Sequence, residues 1–212
     1  MISQSKEKFL KDAFNYLDNL KNCFTEENLF LIQELAENLR DAWMNEKNVF
    51  LCGNGGSAAN ANHIANDFNY GIGCTREDGR IPGLKVEALG SNVAIATCLA
   101  NDIGYENIYS NQILVKGNKS DLLIALSGSG NSPNILNAIN TGNKLGLKTF
   151  AILGFDGGKA KKIASHPIHF DINDMQISED VQLLVGHICM QWLGNNKPEE
   201  GKVINRYHYF KK

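Results

Sequence analysis

Apolar residues recur at helical spacing near the start of the chain, with Phe9, Leu10, Phe14, Leu17 and Leu20 inside residues 3–22. Thr25 stands where a helix N-cap is expected, and Glu26 and Glu27 follow with charge that suits a first turn. The helix opened there puts Leu29, Ile32, Leu35, Ala36, Leu39 and Trp43 on one side. Two amphipathic helices ahead of any strand need a partner surface, on their own domain or on another subunit.

From residue 48 the pattern alternates between short apolar runs and helical periods. Strands are predicted over 48–52, 84–89, 121–126, 148–153 and 166–172, with Pro167 at the start of the last or on a sheet edge. Helices are predicted over 58–68, 91–100, from the loop after residue 126 through 144, and over 178–193. Continuous apolar strands alternating with helices imply a parallel sheet covered on both faces. The expected architecture is an α/β three-layer sandwich of about five strands behind two N-terminal helices. One domain is expected over 1–212: a helical hairpin (1–46) for packing or oligomerisation, an α/β core (47–195) and a tail (196–212). The longest polar, glycine-rich connection, 69–83, reads equally as a plain surface loop or a mobile flap.

Composition narrows the class. The 212 residues are 43% apolar, enough for a core, and the net charge of −2 with scattered Lys and Arg argues against nucleic acid. The basic, aromatic ending "RYHYFKK" is read as a solubilising or docked tail. Five cysteines, Cys23, Cys52, Cys74, Cys98 and Cys189, are odd in number and widely spaced, which disfavours a zinc ribbon or a disulfide framework. Most are expected to be small core residues in a reducing cytosol. No apolar run nears the ~20 residues of a membrane span. The expectation is a cytoplasmic protein with no membrane partner.

Two predicted strands run into glycine–serine loops, "CGNGGS" and "SGSGNS", each directly before a helix. Backbone N–H groups and the helix dipole favour an anion there, and hydroxyls add donors. The candidates are Asn54, Gly55, Gly56 and Ser57 in the first loop, and Ser127, Gly128, Ser129 and Ser132 in the second. One such loop is simply a tight turn; two in one small α/β chain point to a phosphate or phosphosugar. A Walker A loop is absent, and "GNGGSA" breaks the dinucleotide pattern, because Ala58 holds the position of its last glycine. Asn54 offers a short amide to a sugar hydroxyl.

"CGNGGSAANANH", "LSGSGNSPNIL" and "GFDGGK" resemble the sugar isomerase (SIS) domain family. In order and length the chain is similar to its phosphoheptose isomerase branch, over nearly all of its residues. The resemblance implies a flavodoxin-like SIS fold and a homotetramer with sites at subunit interfaces. It also implies an aldose–ketose isomerisation through an enediol, from sedoheptulose 7-phosphate to D-glycero-D-manno-heptose 7-phosphate, feeding surface polysaccharide synthesis. By the same resemblance His63, Asp67, Glu179 and His187 bind zinc, with Asp67 as base and His187 as acid. Three positions depart from the branch: Asp67 stands for Glu, Glu179 for Gln, and Asn92 for an acidic residue after the second strand. Glu179 and Asn92 are therefore also expected at the substrate. Alternatives are an isomerase of another phosphosugar, or a non-catalytic binding module similar to the replication-initiator-associating branch, which "SAANANH" also resembles.

Spacing bears on the same residues without the family. His63 and Asp67 are i, i+4 on one helix face. Asp180 and His187 share a face, and Glu179 lies about 80° from His187 by the helical repeat. Asp180 is a rival ligand or a partner to one. The plain alternative keeps His63 as a core histidine bonded to Asp67, with Glu179 and Asp180 as first-turn charge. His166, His169 and His208 are expected to be structural, Asp156 to make a turn, and Lys159 to be solvated.

Overall fold

The computed structural model describes residues 2–73 and 81–198. Residues 74–80 of the 69–83 connection, and the tail from residue 199 on with "RYHYFKK" and His208, fall outside them. The chain opens with α1 (Ile2–Asn22) and α2 (Glu26–Met44), and Thr25 caps α2 by accepting from the Asn28 amide at 3.2 Å. The core follows as β1 (Asn48–Cys52), α3 (Gly56–Asn69), β2 (Lys85–Ala88), α4 (Val93–Ile103) and α5 (Ser110–Lys116). It continues through β3 (Leu122–Ser127), α6 (Pro133–Leu145), β4 (Lys148–Leu153), α7 (Ala160–Ile163), β5 (His166–His169) and α8 (Met175–Asn195).

The five strands are parallel, in the order β2-β1-β3-β4-β5. Strands buried on both faces explain the continuous apolar runs. Val49 and Leu51 of β1 join the cluster under α2, α3 and α8, while Phe50 and Cys52 join the cluster under α5 and α6. β3 divides the same way, Ile124 and Leu126 to one side, Leu123 and Ala125 to the other. Pro167 sits in β5, an edge strand, as its missing N–H requires. The chain leaves β1 toward β2 on one side and returns to β3 on the other. The crevice between the carboxyl ends of β1 and β3 is the switch point where ligands bind in such sheets.

Two helices cover little in this chain. On α1, Phe9, Leu10, Phe14 and Leu17 are exposed, and Tyr16 and Leu20 reach the core. α4 has the sequence VAIATCLANDI and no buried residue. The expected strand at 166–172 is shorter, and α8 begins three residues before the expected 178. α5 and α7 were not foreseen.

Candidate active site

Both glycine–serine loops end at the switch point. β1 delivers Gly53–Gly55 to the start of α3, and β3 delivers Ser127 and the turn to α6. Together they bound a cleft of about 300 Å³ lined by Asn54, Ser57, Ser127, Ser129, Ser132 and Glu179, among others. Gly55, Gly56 and Gly128 complete the backbone of its wall, so all of the expected loop residues meet. Neither helix start is capped by a side chain: Gly55 has none to offer, and Ser132 makes no cap hydrogen bond. Gly56 and Ser57 at the start of α3 line the cleft at the positive end of that helix dipole, whereas α6 opens with Pro133, which has no N–H, and its Ile135 amide is taken by Asn134 Oδ1 and Ser132 O.

The second loop is self-bonded. Ser127 Oγ accepts from the Gly130 amide at 3.1 Å, and Ser129 Oγ accepts from that of Asn131 at 3.3 Å. Gly130 has φ +63°, and a Cβ there would run into the Gly157 carbonyl. The "GFDGGK" turn is therefore a buttress. Asp156 accepts from the Gly158 amide at 3.0 Å, as a turn residue should, and the Ala160 amide donates to Gly130 O at 2.9 Å. Lys159 is exposed.

The first loop is held by residues from elsewhere. Asn54 Nδ2 donates to Asn134 Oδ1 at 2.9 Å, and Asn134 Nδ2 donates back to Asn54 Oδ1 at 2.8 Å. Tyr105 OH donates to the same Asn54 oxygen at 2.9 Å. The buried Tyr109 hydroxyl donates to Gly53 O, and burial pushes that phenol well above its ordinary range. Asn134 and Tyr105 escaped the sequence reading. The available signal was an Asn on the inner face of the first turn of α6, 1% exposed.

α3 and α8 carry the chemistry. Asn60 donates to Glu179 O at 2.8 Å, tying the two helices, and Gly186 lets them approach, since a Cβ there would lie 2.6 Å from Ile64 Cγ1. His63 and His187 then face each other, Nε2 to Nε2, at 3.1 Å. Asp67 Oδ2 lies 3.5 Å from the first ring and 3.4 Å from the second. Asn66 Nδ2 donates to the other oxygen of Asp67 at 3.4 Å. These three side chains form a group able to hold a metal ion. Tetrahedral zinc with bonds near 2.05 Å needs ligand atoms about 3.3 Å apart, and two imidazoles with a carboxylate are a suitable donor set. The trio fits that requirement.

Glu179 does not stand in that group. Its carboxylate lies against Gly56, on the wall of the serine cleft, where a side chain at 56 would otherwise be. Asp180 is taken by Tyr16, whose hydroxyl donates to it at 2.5 Å; burial, that bond and the charge push the phenol up to about 12. Asn92 caps α4, accepting from the Ile95 amide at 3.1 Å, and is not among the cleft residues. His166 pairs with Glu34 at 2.9 Å and stacks on Phe150, while His169 bonds Phe155 O at 2.8 Å, so both are structural. Cys52 and Cys189 are buried, Cys23 is intermediate and Cys98 exposed; Cys74 is outside the described residues.

A serine-lined cleft opens at the switch point of a five-stranded parallel sheet, the build of an α/β protein that binds ligands at its strand ends, and residues 13–154 match the SIS domain model. The chain belongs to the SIS domain family. It is 34% identical over 188 residues to the phosphoheptose isomerase of Chlorobaculum parvum, covering 87% of this chain and 88% of that one. It is similar in fold to the phosphoheptose isomerase of Neisseria gonorrhoeae, with TM-score 0.77 and 22% identity over 92% of this chain and 100% of the other. That of Francisella tularensis superposes with TM-score 0.78 and 22% identity, over 92% and 99%. Among the described residues, no helix is long and apolar enough to cross a membrane.

Proposed function

We infer that this chain is an aldose–ketose isomerase of a seven-carbon sugar phosphate, converting sedoheptulose 7-phosphate to D-glycero-D-manno-heptose 7-phosphate. The observation that carries the reading is the shared use of α3 and α8: Ser57 and Glu179 at the cleft, His63, Asp67 and His187 beyond them. Six residues of α3 separate Ser57 from His63, about 9 Å of helix rise, a span suited to a phosphate at one end of an open sugar chain and reacting carbons at the other. Relatives that carry the phosphoheptose isomerase name over most of this chain support the substrate.

The serine hydroxyls and the Gly56 and Ser57 amides at the start of α3 hold the ester, which fixes the remote end of the sugar and removes part of the entropic barrier. Asp67, set between two imidazoles, takes the C–H proton next to the carbonyl. His187 gives a proton to the carbonyl oxygen and takes one from the neighbouring hydroxyl as the enediol collapses, while Asp67 returns its proton to the former carbonyl carbon. His63, Asp67 and His187 would hold a divalent metal, zinc by donor type, which supplies Lewis-acid polarisation of the substrate oxygen. Glu179, at the cleft wall, is assigned to sugar hydroxyls and completes the metal set if its side chain turns toward His187, whereas Asn92 is held as the cap of α4.

The apolar stripe of α1 and the uncovered α4 support a homotetramer with sites at subunit boundaries. The expected setting is the cytoplasm, where charged sugar phosphates are made and retained, with the product passing to surface polysaccharide synthesis. The test is turnover of sedoheptulose 7-phosphate followed by NMR, with five- and six-carbon phosphates alongside. Asp67→Asn should lower kcat by about 10³-fold and retain the fold. Full activity in that variant, or faster turnover of a shorter sugar, overturns the assignment. Light scattering should report four chains.

A further inference from the structure

We propose that Glu179 is a carboxylate with two positions. Against Gly56 it holds the ester's place in the serine cleft; turned toward His63 and His187 it clears that place and joins the metal ligands, so that metal and ester bind cooperatively. Among the described residues, no Lys, Arg or His lines the cleft. An incoming dianion meets hydroxyls, amides, the positive end of α3 and one unit of like charge. That charge is Glu179. Its carboxylate lies against Gly56, the first residue of α3, and makes no hydrogen bond or ion pair among the described residues. It rests where an anion is favoured, and a second anion beside it is repelled.

The backbone of Glu179 is fixed between the two places. Its carbonyl accepts from Asn60 Nδ2 at 2.8 Å, which sets Glu179 level with Asn60 on α3. Gly56 lies four residues before Asn60, about 6 Å of helix rise, and His63 three residues after it, about 4.5 Å. A side chain with three rotatable bonds spans either interval from that point. Side chains of a helix lean toward its N-terminus, so the His187 ring, eight residues further along α8, reaches back toward Glu179. His63, Asp67 and His187 supply three donors, one short of a tetrahedral set, and a carboxylate is a suitable fourth. One carboxylate cannot serve both places. Metal draws it out of the cleft, ester pushes it toward the metal, and by linkage each tightens the other by the same factor. With a neutral glutamine at 179 the competition vanishes. This inference rests on the isomerase reading above and adds to it a coupling between the two halves of the site.

The test uses inorganic phosphate and zinc as separate probes. If the carboxylate spends about nine-tenths of its time against Gly56, each ligand binds about tenfold more weakly than its bare site allows. Calorimetry should then show phosphate binding the wild-type chain about tenfold more tightly with one equivalent of zinc than after chelation. Chelated Glu179→Gln should already bind phosphate about tenfold more tightly than the chelated wild type, with zinc adding less than about threefold. Gly56→Ala separates eviction from loss of charge, because a Cβ there collides with all three terminal atoms of Glu179. Driven from the cleft, the carboxylate is free for the metal. Zinc affinity, read by competition with a chelating dye, should rise about tenfold in Gly56→Ala. Phosphate binding that ignores zinc in the wild type, or that is equal in chelated wild type and Glu179→Gln, overturns the cleft position. Zinc affinity unchanged or lowered in Gly56→Ala overturns the metal position. Should Gly56→Ala fail to fold, the same rise is expected for zinc in the wild type on adding saturating phosphate, and its absence overturns the coupling. Coupling without turnover of sedoheptulose 7-phosphate overturns the isomerase reading alone, and turnover without coupling overturns the two-position carboxylate alone.

Discussion

The two loops that form the cleft look alike in sequence and are held in different ways. The β3–α6 loop bonds to itself through Ser127 and Ser129 and leans on the backbone of the Asp156–Lys159 turn. The β1–α3 loop makes few bonds within itself and depends on Asn134, Tyr105 and Tyr109, which lie 80, 51 and 56 residues from their partners. A self-bonded backbone cradle is rigid and tolerates little substitution within it. A loop held by distant side chains can be retuned from outside, one contact at a time. The first arrangement suits a ligand group that never changes, a phosphate.

Three substitutions sharpen that contrast. Gly130→Ala should have the largest effect, since it adds left-handed strain to a collision with backbone that cannot move aside. A loss of about 3 kcal/mol in chemical denaturation is expected, with phosphate affinity falling in parallel. Tyr109→Phe should follow, at about 2 kcal/mol, because the Gly53 carbonyl loses its buried donor. That difference has a defined pH range. The folded-state phenol lies above its unfolded value, so its contribution is complete below about pH 10 and declines at higher pH as the unfolded chain ionises. A Tyr109→Phe penalty that grows above pH 10 would contradict the bond. Gly55→Ala is the mildest. Its φ is +55°, but a Cβ there meets nothing within 4 Å, so only the conformational cost of about 1 kcal/mol is expected. If Gly55→Ala proves as damaging as Gly130→Ala, the two loops are not held differently.

Much of this arrangement is legible in the chain itself. β1 and β4 occupy the predicted residues, because a continuous apolar run bounded by polar residues has few other readings. Both glycine–serine loops are visible as local patterns, whereas the grouping of His63, Asp67 and His187, which the structure brings together, is implied by family resemblance and only permitted by spacing. α3 begins at Gly56, two residues before the predicted start, since paired glycines hide a helix start from propensity. α5 and α7, of seven and four residues, are too short for a helical period to register. Asn92 reads equally as a site residue or a cap, and spacing cannot separate the two; the structure puts its oxygen on the Ile95 amide. The Asn54–Asn134 pair is invisible locally, because nothing near either residue encodes a contact across 80 positions. Glu179 shares its helix with His187, yet its carboxylate rests against Gly56. Helical periodicity gives the face of a residue and not the direction of a long, flexible side chain.

The apolar helix α4 ends at Ile103, and two residues later Tyr105 reaches across to Asn54. Leu99 and Ala100 of α4 pack against the core, but Val93 and Ile103 stay exposed within one chain. A second copy packed on α4 would lie beside the segment that carries Tyr105. If the proposed tetramer covers α4, activity should rise with protein concentration through the range where the copies associate.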